Sequence, residues 1–207
     1  MKSKAMKPFF MNRLSGIVRD RTGAVAVVLL LIVVSLLAAF MLMRRKIGIG
    51  SDVYMLRNRP ISLTLDSMEC YVGTERTRVR EKAGCHRLVV YTDSIQCNSC
   101  ALTALFNWDE LVDTIQSCNK ECRVCFVFTP PVEERIPLTT RLLDSGFLHP
   151  VYVDRKGLFP RENPHIPANP MMHAFLTDSA GKVVLVGNPF NNKRIMRMVL
   201  DYLNEEK

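Results

Sequence analysis

The stretch Leu88-Val-Val-Tyr-Thr-Asp-Ser-Ile-Gln-Cys97-Asn-Ser-Cys100 decides the fold. Leu88 to Tyr91 is a short continuous apolar run, the form of a strand buried on both faces. From about Cys97 to Ser117 the period changes, with Leu102, Leu105, Phe106, Val112 and Ile115 at helical spacing. Two cysteines three positions apart therefore fall where a buried strand turns into a helix. A thiol there faces backbone N–H groups that lack helical partners and the positive end of the helix dipole, and both stabilise the thiolate. The thiol pKa falls from about 8.5 toward neutrality. Cys97 is thus the expected nucleophile. Cys100, one turn on and expected to be the more shielded thiol, resolves the mixed disulfide. The bland alternative is a pair of structural cysteines.

Toward the C-terminus, Val124 to Thr129 reads as a second buried strand, stopped by Pro130-Pro131. A helix starts near Pro137 and ends at Gly146, and Pro150 to Asp154 gives a third strand. A proline-rich loop, Gly157 to Pro170, leads to strands His173–Thr177 and Val183–Val186, joined by the turn Asp178-Ser-Ala-Gly181. A last helix, about Asn191 to Asn204, carries Ile195, Met198, Val199 and Leu203 on one face. The order β-α-β-α-β-β-α defines an α/β three-layer sandwich.

Toward the N-terminus, Ala24 to Met43 is twenty residues without a charge, and only Ser35 is polar. At about 1.5 Å rise per residue this spans a hydrocarbon core about 30 Å thick. It is longer than a signal-peptide core, so an uncleaved anchor is expected. Of 28 basic and 20 acidic residues, nine basic ones and Asp20 fall within residues 1–46, leaving 19 of each sign in the other 161. The net charge of +8 thus belongs to the flanks of the apolar run, which points to lipid head groups and away from nucleic acid. Six basic residues precede the run, and Arg44, Arg45, Lys46, Arg57 and Arg59 follow it. This bias puts the N-terminus in the cytoplasm. Seven cysteines fit an oxidising compartment, which for a bacterial cell is the periplasm. The expected divisions are a basic tail (1–23), a transmembrane anchor (24–43), a linker closed by Pro60 (44–60) and a folded domain (61–207). Within that domain Ile61 to Val72 suggests edge strands, and Gly73 to Gly84 a polar hairpin.

Three features together, LVVYTDSIQCNSC, the element order after it, and AFLTDSAGKVVLVGNP, resemble the thioredoxin superfamily over roughly Arg87 to Leu203. The resemblance is to membrane-anchored bacterial thiol–disulfide oxidoreductases of the TlpA type. It implies a thioredoxin-like fold and thiol–disulfide exchange. The expected partners are protein thiols or disulfides in the cell envelope, together with a membrane or periplasmic redox partner. No cofactor is expected. Three positions depart from the family pattern. Gln96 stands where a Trp usually precedes the first cysteine, and the sole Trp is Trp108. Tyr91 stands where a buried acid often lies, with Asp93 as a possible substitute. Counting back from Phe175 puts Met172 at the position of the family's cis-proline, two residues after Pro170. Pro170, Met172 and His173 are therefore the expected substrate-docking loop.

Two further readings remain beside exchange: a Cu(I)-binding chaperone and an inert thioredoxin-like binding domain. Met171, Met172 and His173 offer soft donors beside the dithiol, which suits Cu(I). Copper chaperones of this fold resemble Cys-x3-Cys rather than the Cys-x2-Cys here. The pairs Cys97/Cys100 and Cys122/Cys125 mimic a zinc pattern, but a helix separates them and Cys125 falls inside a strand. No metal is expected. Cys118 and Cys122 bracket a turn and could pair, as could Cys70 and Cys85; the sequence leaves these open.

Overall fold

The computed structural model describes residues 11–78, 84–94 and 98–206, with the side chains of 11–24, 26, 44–49, 51, 98 and 99 outside the description. The chain divides into two compact units, Met1–Gly50 and Ser51–Lys207. Helix α1 (Met11–Leu56) carries the apolar run, and the described side chains from Val25 to Met43 are all exposed. Its one polar group there is satisfied internally: the Ser35 hydroxyl lies 2.8 Å from the Leu31 carbonyl and 2.9 Å from that of Ile32. Among the described residues no helix is long and apolar enough to cross a membrane; Ala24 and Ala26, within the run, have no described side chain.

In the second unit the elements are β1 (Glu69–Val72), β2 (Glu75–Thr77), β3 (Arg87–Thr92), α2 (Asn98–Leu105), α3 (Asp109–Cys118), β4 (Arg123–Phe128), α4 (Arg135–Ser145), β5 (Val151–Val153), α5 (Leu158–Glu162), β6 (Ala174–Thr177), β7 (Val183–Val186) and α6 (Lys193–Glu205). The strands form one sheet in the order β2-β1-β5-β4-β3-β6-β7. β3 pairs parallel with β4 and antiparallel with β6, and β4 pairs parallel with β5. The parallel steps β3→β4→β5 need helical crossovers, and α2, α3 and α4 supply them. From β3 onward this is the expected order, with α5 added.

Alternation along the strands feeds two cores. Leu88, Val124, Phe126 and Phe128 meet α2, α3, α4 and α6 through Leu102, Val112, Ile115, Leu138, Leu142 and Leu203. On the other face Val89, Val127 and Phe175 meet Leu56, Ile61, Leu65 and Phe159. That layer is made of α5, a short 3-10 turn and irregular chain, so the sandwich has one thick and one thin outer layer.

Two expected boundaries move. Within the expected linker, 44–60, the helix runs on to Leu56, which is fully buried, and Asn58 donates its N–H to the Val183 carbonyl at 2.8 Å. The single helix expected over 97–117 is two, with a 3-10 turn at Phe106–Trp108 between them. Asp109 and Glu110 restart the helix with negative charge in its first turn, where the dipole favours it.

Candidate active site

β3 is an interior strand, held between β4 and β6, and its C-terminal end delivers the chain toward the first turn of α2. Ile95, Gln96 and Cys97 lie outside the described residues, and the nucleophile assignment falls there. Cys100 is in the first turn of α2, exposed and disulfide-bonded. Cys70, Cys85, Cys118, Cys122 and Cys125 are thiols. Whether Cys100 is the more shielded of the two thiols lies outside the described residues, because Cys97 does.

A cavity of about 140 Å³ lies against α2. Ala101, Ala104 and Trp108 form one wall, and Pro170, His173 and Asn188 close it from the loops after α5 and β7. Two alanines at this spacing leave room that larger side chains would fill. Trp108 is buried between an edge contact with Phe126, at 5.4 Å, and a stacked contact with Phe190, at 5.6 Å. Sequence reasoning missed this cavity; Ala101 and Ala104, two small positions three apart in α2, were the available signal. The loop bearing Asn188 and Phe190 leaves β7 through Gly187, whose φ of +130° strains any other residue and where an added Cβ would stand 3.1 Å from the Ile195 side chain.

Of the expected docking loop, Pro170 and His173 reach this cavity and Met172 does not line it. Pro170 is not a cis-proline, because no cis peptide bond occurs among the described residues. It opens a 3-10 turn, Pro170–Met172, capped by Asn169, whose side-chain oxygen accepts the Met171 N–H at 3.1 Å. Proline suits such a first-turn position, since its missing N–H would have no partner there. His173 is buried, with Nε2 2.8 Å from the Pro167 carbonyl. A carbonyl only accepts, so Nε2 carries the proton. With Met171 exposed, Met172 buried and His173 Nε2 so engaged, these three donors are not arranged as a Cu(I) set.

Tyr91, at the family's acid position, is buried between Phe159 and His173. Burial raises its phenol above the ordinary range, the nearby Asp93 and Asp154 charges add to this, and the Thr129 hydroxyl works against it. Tyr91 therefore stays protonated near neutrality and is no substitute base. Asp93 is half-buried on a separate cavity of about 270 Å³ with Tyr91, Thr129 and Asn163. The zinc pattern fails on topology as well. Cys122 packs into the core on one face of the sheet and Cys125 into the core on the other.

An interior strand followed by the Cys-x2-Cys helix, parallel to the next strand and antiparallel to a C-terminal hairpin, defines a thioredoxin-like domain. Among solved structures, the chain is similar to a protein described as the thiol:disulfide interchange protein DsbE of Chlorobium tepidum. Identity is 18%, covering 71% of this chain and 97% of that one, with a TM-score of 0.49. StoA of Bacillus subtilis is 17% identical over 66% of this chain and 94% of its own, with a TM-score of 0.41. Peroxiredoxin Q of Xanthomonas campestris is 14% identical over 72% and 97%, with a TM-score of 0.47. No family model matches the chain. No curated protein matches it either.

Proposed function

We propose that the protein is a membrane-tethered thiol–disulfide oxidoreductase that acts on protein thiols in the periplasm through Cys97 and Cys100. The observation that carries this reading is Cys100 itself, exposed and disulfide-bonded in the first turn of the helix after the interior strand β3. A structural pair has no need of exposure or of that position. A redox pair needs both, because a substrate sulfur must approach in line with the bond being broken. In this reading Cys97 attacks a substrate disulfide, one substrate sulfur leaves as a thiol, and Cys100 then displaces the other. The reverse sequence oxidises a substrate dithiol. The cavity beside α2 takes a side chain flanking the substrate cysteine.

The tether is α1. Its exposed residues from Val25 to Met43 present apolar surface all round, and Ser35, the one polar side chain in the run, bonds to its own helix. Such a segment is suited to lipid, where every polar group needs an internal partner. The basic flanks set the N-terminus in the cytoplasm and the domain outside, in the bacterial inner membrane.

The deciding experiment is the reduction potential of the Cys97/Cys100 couple, by equilibration in glutathione buffers. A value near about −270 mV means a reductase, and one near about −120 mV an oxidase. A pair that does not equilibrate with glutathione at all overturns the exchange reading.

A further inference from the structure

Three of the remaining thiols lie at the opposite end of β3 and β4 from Cys100. Cys85 precedes β3, Cys118 ends α3 and Cys122 precedes β4. The Cys122 thiol bonds to the backbone at Leu88 and feels Cys85 more strongly than Cys118, while Cys118 packs against the same core cluster that holds Cys122. Backbone bonds pin the three segments together. Arg123 donates its N–H to the His86 carbonyl at 2.8 Å, and Cys122 donates its own to Asn119 at 3.0 Å. Asn119 is held in turn to α6, its side-chain amide donating to the Leu203 carbonyl at 3.2 Å.

Access separates the three. Cys85 and Cys122 are buried, at 1% and 0% exposure, whereas Cys118 is half-buried and lines a cavity of about 460 Å³. His86 and Lys120 line the same cavity, and the buried Nδ1 of His86 makes no hydrogen bond in this structure. The Cys118 thiol points to the Leu200 carbonyl at 3.5 Å, a weak contact that can be given up.

We propose that Cys118 and Cys122 are a second redox-active pair, independent of Cys97 and Cys100, which takes up a disulfide from a low-molecular-weight disulfide entering this cavity. With glutathione disulfide as oxidant, the Cys118 thiolate attacks one sulfur, forms a mixed disulfide and expels one glutathione thiolate, which takes up the Cys118 proton. The Cys122 thiolate then attacks the Cys118 sulfur and expels the second glutathione, which takes up the Cys122 proton. Two protein thiols lose two electrons and one glutathione disulfide becomes two thiols. Burial pushes the Cys122 thiol up to about 12, so the second step is slow and quickens with pH. That behaviour belongs to a slow sensor or lock between α3 and β4.

The test uses the full chain with Cys97 and Cys100 both changed to Ser, purified in detergent and fully reduced. It is incubated with glutathione disulfide, quenched with acid and an alkylating reagent, and mapped by peptide mass spectrometry. The expected product links Cys118 to Cys122, with Cys70, Cys85 and Cys125 alkylated. Adding Cys122→Ser should leave a stable glutathione adduct on Cys118. Adding Cys118→Ser should leave neither adduct nor crosslink, with circular dichroism unchanged. A Cys85–Cys122 crosslink, or a Cys118 that stays alkylatable throughout, overturns the proposal.

Discussion

The backbone N–H of Tyr91 donates to the carbonyl of His173 at 2.8 Å, and the two rings lie 5.0 Å apart. This pair fastens the loop before β6 to β3, and His173 Nε2 extends the clamp to Pro167. His173→Ala removes the Nε2 bond and the ring contact and leaves the half-buried Pro167 carbonyl with one partner fewer. The expected cost is about 1–3 kcal/mol in urea unfolding. Faster hydrogen exchange should appear at residues 169–172. Unchanged exchange there would mean that the backbone bond alone holds the loop.

Trp108, the chain's sole tryptophan, shares a cavity wall with Ala101, the residue after Cys100. Its fluorescence should therefore change when the Cys100 disulfide is reduced. The change should disappear in Cys97→Ser and Cys100→Ser. Trp108→Ala should cost about 3–5 kcal/mol, because it empties the space between Phe126 and Phe190.

Glu69 gathers three partners on β1. Tyr71 donates its hydroxyl at 2.8 Å, Arg155 its Nε at 2.6 Å, and Arg76 lies at 2.9 Å. Burial pushes the Glu69 carboxyl up, but the bonds from Tyr71 and Arg155 and the two guanidinium charges outweigh it, so the net shift is downward. With the folded value below the unfolded one near 4.5, the stabilisation is full above that pH. It is lost as pH falls through the folded value. Glu69→Gln should flatten the acid limb of a stability–pH curve. Because both arginines are partly exposed, the effect at neutral pH should stay near about 1 kcal/mol.

The legible parts of the sequence were those whose local pattern agrees with their final surroundings. β3 and β4 are continuous apolar runs, and both are buried on two faces. Gly146 ends α4 as expected, with φ of +65°. α5 was invisible because nothing local makes it: five residues with Pro160 inside, held by tertiary contacts. Asp154 accepts the Phe159 N–H at 2.8 Å, and the Phe159 ring is fully buried. The role of Pro170 was left open by the sequence for a related reason. Its role depends on Asn169 capping a turn, a bond two residues long that counting back from Phe175 passes over.

The membrane topology has a direct check. The proposed orientation places Ile47 to Lys207 outside the cytoplasm. A reporter active only in the periplasm, fused after Lys207, should be active. Activity of a cytoplasm-only reporter in its place would reverse the assignment and remove the oxidising compartment on which the exchange reading depends.

The roles of the two motif cysteines can be separated by trapping. Cys100 is exposed, and the exposure of Cys97 lies outside the described residues, so the distinction drawn between them rests on thiolate stability at the helix start. Cys97 precedes α2 in the sequence, where unpaired N–H groups favour negative charge, whereas Cys100 is already inside the first turn. Cys100→Ser should therefore accumulate a mixed disulfide with substrate protein, seen on a non-reducing gel and lost on reduction. Cys97→Ser should trap far less, and the difference should narrow as pH rises toward about 8.5, where an ordinary thiol also ionises. Cys118→Ser in both backgrounds keeps the second thiol pair from contributing adducts. Equal trapping at neutral pH would mean that the helix-start argument does not select Cys97. Trapping by Cys97→Ser alone would exchange the two roles.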